Sequence, residues 1–218
     1  MQTKPNFVLF LTDDQPYNGL SCTSNSVLKS PHVDQLAAEG VLFDKAFVTT
    51  AICCCSRASL YTGQHMGRQG VEDFKTPLSA AQWQQTFPAL LRKAGYRIHM
   101  SDNGTMDGAH GFDGKCLMYE ESIHVPLIIR DPRLPRSTHG RRSQMALNID
   151  LAPTILAMAG VPIPKSMQGS DLQPILRNAK AKGRDGLSIG RDDKTAVGDY
   201  TSPNPLLGTV MDVKVSTL

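Results

Sequence analysis

The chain has 218 residues, 40% hydrophobic and 20% charged, with 18 glycines and 14 prolines, a balance that excludes fibrous and disordered classes. Its net charge of +3 is concentrated between Arg130 and Arg142, where five arginines face one aspartate and leave the remainder at −1. Prolines and a glycine make that stretch a solvated loop. A nucleic-acid surface would need basic residues interleaved with aromatics on a regular element.

In chain order, Asn6 to Thr12 (NFVLFLT) is short and rich in β-formers, which predicts a buried strand ending at Asp13-Asp14. Its apolar core, Phe7 to Leu11, is five residues long, against the ~20 a membrane span requires, so no membrane partner is expected. The same start lacks the small-residue cleavage site of a secretory leader, so no export signal is read and the compartment stays open. Ser30-Pro31 predicts a helix start, Val33, Leu36 and Ala37 its apolar stripe, and Gly40 its stop. Val41 to Val48 follows as a strand, Thr49 to Cys55 as a loop, and Ser56 to Tyr61 as a short helix ended by Gly63.

Further on, Thr86 to Ala94 has a helical stripe closed by Gly95, and Tyr96 to Met100 is a strand candidate running into Ser101-Asp102-Asn103-Gly104. Val125 to Arg130 reads as another buried strand and Asp150 to Ala159 as a helix stopped by Gly160. From Arg177 to Lys194, six basic and three acidic residues mixed with Gly and Ala read as surface or poorly ordered chain. Strand, loop and helix alternate, which predicts a mainly parallel α/β sheet whose binding groups gather beyond the carboxyl ends of the strands.

Reactive residues fall at such places. Asp13-Asp14 end one strand, the run Cys53-Cys54-Cys55 follows another, and Asp102-Asn103 end a third. Carboxylates and an amide oxygen gathered on one edge need a hard divalent cation, calcium or magnesium, to offset their repulsion. Taken singly, Asp13-Asp14 also suits a turn and helix cap, and Ser-Asp-Asn-Gly a turn. The five cysteines fit neither a disulfide framework nor a zinc pattern, since three are consecutive and no C-x-x-C repeats occur.

The segment CCCSRASLYTG resembles the sulfatase signature C-x-P-S-R-x-x-x-x-T-G, with Cys53 at the reactive cysteine and Cys55 where the family usually has proline. NFVLFLTDDQ, SPHVDQLAAEGVLFDKAF, SDNGTMDGAHGFDGKCLMYEESIHVPLIIRDP and NIDLAPTILAMAGVPIPKSMQGSDL are similar to family segments in the same order. The resemblance implies an alkaline-phosphatase-like α/β fold, a mainly parallel sheet flanked by helices, and hydrolysis of sulfate esters. It further implies that a separate maturation enzyme converts Cys53 to formylglycine. One hydroxyl of the hydrated aldehyde attacks sulfur and displaces the alcohol, which leaves sulfate on the residue, and the second hydroxyl expels that sulfate as the aldehyde re-forms.

By the same resemblance Asp13, Asp14, Asp102 and Asn103, with the converted Cys53, would hold calcium or magnesium. Arg57 would stabilise the diol, and Lys115 would clamp a sulfate oxygen. His110 and His124 are left as hydrogen-bonded spectators. The family's additional lysine and two active-site histidines have no counterpart here. The chain therefore resembles a truncated sulfatase, one domain over 1–218 with an internal segment missing near 100/101 and a weakly structured C-terminal remnant over 178–218.

Two other readings compete. One is a non-catalytic, internally deleted remnant that binds a metal or a partner. The other is a phosphoester hydrolase, disfavoured because phosphatases of that superfamily use serine or threonine at the position of Cys53.

Overall fold

The computed structural model describes residues 4–13, 15–98, 124–189, 196–198 and 214–215. Helix α1 (Pro31–Ala38) leads into strand β1 (Val41–Phe47). Helices α2 (Cys53–Thr62), α3 (Met66–Gln69), α4 (Ala80–Trp83) and α5 (Phe87–Lys93) follow. Strand β2 (Leu127–Ile129), strand β3 (Gly140–Leu147), helix α6 (Leu151–Met158) and helix α7 (Gln173–Arg177) complete the body. Beyond it, β4 (Leu187–Ile189), β5 (Ala196–Gly198) and β6 (Lys214–Val215) pair antiparallel in the order β4-β5-β6.

Strand β1 is central because its sequence, VLFDKAF, is apolar on both faces: Val41, Leu42, Phe43, Ala46 and Phe47 are all buried. It pairs with β3 in parallel, from Val41↔Gly140 to Phe47↔Leu147, and with β2 antiparallel, from Val41↔Ile129 to Phe43↔Leu127. The sheet is therefore mixed, flanked by helices. Helix α7 covers it through Ile175 and Leu176, which pack with Val41, Phe43, Ala46, Ala146 and Leu172. A second apolar cluster joins the helices, with Leu60 of α2, Phe87 and Leu91 of α5, and Ala152 and Leu156 of α6.

Strand β3 is absent from the sequence reading, which took Arg141 and Arg142 for loop. The alternation GRRSQMAL resolves the conflict: Arg141 stays exposed while Arg142 points inward, 4% exposed. Its guanidinium is satisfied by backbone carbonyls alone, those of Ile175 (3.0 Å), Arg141 (3.1 Å), Leu176 (3.3 Å) and Thr138. Burial of a cation without a carboxylate lowers the Arg142 pKa.

The expectation of a strand over 6–12 is overturned. The segment has no ladder partner among the described residues, and Val8 and Phe10 are 79% and 84% exposed. It is tethered instead at its start, where Lys4 Nζ donates to the Ala94 carbonyl and the Phe7 and Tyr96 rings lie 5.9 Å apart. β-propensity measures fit to a pleated, half-buried surface, and no neighbouring strand among the described residues supplies one here. Tyr96 to Ile98 is likewise not a strand. The other predicted helices stand, with Thr86 as the N-cap of α5, and Gly63 and Gly160 in the left-handed region at the ends of α2 and α6.

Candidate functional site

Helix α2 begins at Cys53, three residues earlier than the sequence suggested. Ile52, at the N-cap, has an extended backbone and gives no side-chain cap, so the first-turn amides have no acceptor inside the helix or from its cap. Ser56 N is the first to close on a helix-side carbonyl, that of Ile52, at 2.7 Å. A helix N-terminus of this kind carries partial positive charge and favours an anion beside Cys53.

Arg57 projects one turn further along the same helix, and its guanidinium meets Asp13 Oδ2 at 3.7 Å. Both side chains are about one-fifth exposed, so the pair is partly shielded from bulk water. Of the sequence-predicted site residues, Cys53, Arg57 and Asp13 are thus linked through one helix and one ion pair. Asp14, Asp102, Asn103 and Lys115 lie outside the described residues, as do His110 and the 100/101 junction. Among the described residues no group of three or more His, Cys, Asp or Glu side chains could hold a metal ion.

The cysteine run divides by environment. Cys55 is fully buried with Ala58, Met66 and Val71, and burial above all, reinforced by the Cys54 thiol 3.7 Å away, pushes its pKa up to about 12. It acts as a small apolar core residue where the resemblance has proline. Cys54 is half-buried, with Sγ 3.3 Å from the Asp73 carbonyl.

His124 lies between β1 and the segment after Asp14. Its Nε2 is 2.8 Å from the Asp44 carbonyl, its ring stacks on Tyr17 at 4.0 Å, and its own carbonyl accepts from Tyr17 N at 2.9 Å. The segment just after Asp13 and Asp14 is thereby pinned to β1. Burial, then the Asp44 charge, raises the Tyr17 phenol pKa.

Two residues the sequence reading passed over frame α2. Asn148 and Asp150 form the 3₁₀ turn Asn148–Asp150 between β3 and α6. The Asp150 carboxylate is fully buried and accepts from Leu147 N (2.8 Å) and Ser170 N (2.7 Å), while pairing with Arg184. Burial raises its pKa, with Arg184 opposing that shift. Backbone crowding holds the turn as well, since a Cβ on Gly169 would sit 2.0 Å from the Ile149 carbonyl oxygen. At the far end of α2, the Gly63 carbonyl takes the amides of Gln168 (2.7 Å) and Gly169 (3.1 Å). The only sequence signal for this frame was Asn-Ile-Asp directly ahead of an apolar helix.

A mixed sheet flanked by helices, with Cys53 at a helix N-terminus beyond the carboxyl end of β1, is an α/β arrangement of the alkaline-phosphatase-like class. Residues 5–117 match the family model described as Sulfatase, and residues 108–188 match that of N-sulphoglucosamine sulphohydrolase, C-terminal. The chain belongs to the sulfatase family. It is 34% identical over 97 residues to an N-acetylglucosamine-6-O-sulfatase of Bacteroides thetaiotaomicron, covering 44% of this chain and 17% of that protein. Against human arylsulfatase D it is 35% identical over 103 residues, covering 43% of this chain and again 17% of the relative. The chain therefore matches only a small part of the length of these relatives.

The fold is shared with a solved structure bound to its substrate D-glucosamine-2-N,6-O-disulfate, at a TM-score of 0.73 and 16% identity over 90% of this chain and 87% of that one. The protein Ps i-CgsB aligns with a TM-score of 0.69 and 14% identity over 90% of this chain and 82% of the other. At these identities the likeness defines the fold alone.

Proposed function

We propose that the protein hydrolyses sulfate esters through a formylglycine made from Cys53 by a maturation enzyme, with a divalent cation at the acidic edge. The observation that supports this most is the placement of Cys53 at the N-terminus of α2 with Arg57 one turn on, its guanidinium 3.7 Å from Asp13. The hydrated aldehyde supplies an oxygen nucleophile where a thiol would not. Asp13, Asp14, Asp102 and Asn103, with the converted residue 53, form an all-oxygen donor set, which suits calcium or magnesium and not a thiophilic metal. A cation held there supplies Lewis-acid charge.

The chain's own groups do the rest. The α2 N-terminus draws the anionic ester toward residue 53, Arg57 orients the diol hydroxyls, and Lys115 offers a point charge to a sulfate oxygen. The substrate class is a sulfate ester.

Purified protein co-expressed with a formylglycine-generating enzyme is expected to release sulfate from 4-nitrophenyl sulfate in the presence of calcium, and Cys53→Ala to abolish release. Thermal stabilisation by calcium without turnover would instead select the non-catalytic, metal-binding remnant. Release of phosphate but not sulfate from the matched 4-nitrophenyl esters would select the phosphoester reading.

A further inference from the structure

Asn148, which is not in the signature, bonds to the chain on both sides of Cys53. Strands β1 and β3 run parallel and their last ladder pair is Phe47↔Leu147, so Val48 and Asn148 leave the sheet side by side. From there the Asn148 side chain, 8% exposed, turns onto the loop that leads to α2. Its Oδ1 accepts from Thr49 N at 3.0 Å, and its Nδ2 donates to the Ser56 carbonyl at 3.2 Å and to Ser56 Oγ at 3.0 Å. The chemistry fixes the orientation of the amide, because the Thr49 amide can only donate and the Ser56 carbonyl can only accept. Thr49 precedes Cys53 and Ser56 follows it. One planar group therefore ties both sides of the residue.

Asn148 is itself held. It opens the turn that the Asp150 carboxylate locks through Leu147 N, Ser170 N and Arg184, and residues 168 and 169 of the adjoining segment close the other end of α2 at Gly63. Hydrogen bonds and short backbone links thus run from the buried ion pair to Thr49 and Ser56 on either side of Cys53. Few side chains could replace the amide. Aspartate would keep the bond from Thr49 N but turn an acceptor toward the Ser56 carbonyl and add negative charge near an anionic ester. Alanine would leave the Thr49 amide and the Ser56 hydroxyl to find other partners.

We infer that Asn148 is a positioning residue for residue 53: through Thr49 and Ser56 it holds the loop and first helical turn that aim the nucleophile. The inference rests on the sulfatase reading of Cys53, and touches neither substrate nor metal.

In matured protein assayed on 4-nitrophenyl sulfate, Asn148→Ala is expected to lower kcat by about 10- to 100-fold, the scale of a small misplacement of a reacting group. KM should stay within about twofold, since the binding groups remain. Asn148→Asp should fall further, and Ser56→Ala, which removes only the contact at Oγ, should fall less. In unmatured protein, alkylation of Cys53 by iodoacetamide, localised by peptide mass spectrometry, should be faster in Asn148→Ala by about threefold or more as the turn loosens.

Where the parent is active, an unchanged kcat in Asn148→Ala overturns the inference. Should the parent release no sulfate at all, the functional proposal fails and the alkylation rate alone decides: faster labelling supports the positioning role and an unchanged rate overturns it. If Asn148→Ala does not fold, Ser56→Ala carries both readouts with the same signs.

Discussion

Arg57 and Asp13 form an ion pair at 3.7 Å that joins the helix carrying Cys53 to the segment carrying the first aspartates. The two residues are far apart in sequence, and the pair brings a fixed cation to the place where both an anionic ester and a divalent ion are proposed to sit. Arginine presents a rigid fork of donors, whereas lysine offers a mobile point charge. Arg57→Lys is expected to reduce kcat/KM for an aryl sulfate by about 10²-fold, the usual scale for removing one positioned donor. The melting temperature should move by no more than about 2 °C, which circular dichroism would follow. Equal kcat/KM in the two proteins would remove Arg57 from the site.

The three consecutive thiols should differ in reactivity. Cys55 is buried among Ala58, Met66 and Val71 with its pKa pushed up to about 12, so little thiolate forms at any assay pH. Iodoacetamide at pH 8, followed by peptide mass spectrometry, should label Cys54 and unmatured Cys53 while Cys55 stays protected until the protein unfolds. Equal labelling of Cys55 would place it on the surface.

Stability should decline on mild acidification because of His65. Burial, and then repulsion from Arg184, lowers its pKa from the usual 6.5. The unfolded chain therefore takes up a proton at a higher pH than the folded one. The stabilisation linked to a neutral His65 is fully present above about pH 6.5 and is lost as pH falls through the lowered folded value. Thermal melts from pH 7.5 down to pH 5 should show a smaller loss in His65→Gln than in the parent, and parallel profiles would refute the assignment.

Arg142 should be a stability residue with no catalytic share. Four backbone carbonyls, those of Ile175, Arg141, Leu176 and Thr138, depend on its guanidinium. Arg142→Met is expected to cost about 2–4 kcal/mol in chemical denaturation, the scale of leaving buried acceptors unsatisfied. A change below about 0.5 kcal/mol, as for an ordinary surface position, would contradict this.

Legibility in the sequence followed the range of the forces involved. α1, α5 and α6 were readable because caps, apolar stripes and terminal glycines act within a few residues. The central strand β1 was readable because Val41 to Val48 alternates loosely at the period of a strand. Strand β3 was not, since Arg142 reads as solvent-facing until the carbonyls of α7 and of Thr138 are seen to surround it. The opposite error occurred at 6–12, where strong β-formers have no neighbouring ladder among the described residues. Asn148 escaped notice because its contacts with Thr49 and Ser56 exist only once β1 and β3 lie in register.

The motif around Cys53 carried the family on residue identity, and the helix start at that residue gives the identity a physical setting. Its placement was misjudged by one turn because three cysteines are poor helix formers and Ile52 offers no capping side chain. The metal ligation and substrate contact proposed for Asp14, Asp102, Asn103 and Lys115 rest on the sequence pattern.

Peptide mass spectrometry of residue 53 in protein co-expressed with a formylglycine-generating enzyme tests the central claim most directly. The account predicts that the sulfur at position 53 is replaced by an aldehyde oxygen, trapped by a hydrazide probe, while residues 54 and 55 keep their thiols. A thiol retained at position 53, with no aldehyde captured under conditions that convert a known substrate of the same enzyme, would contradict it.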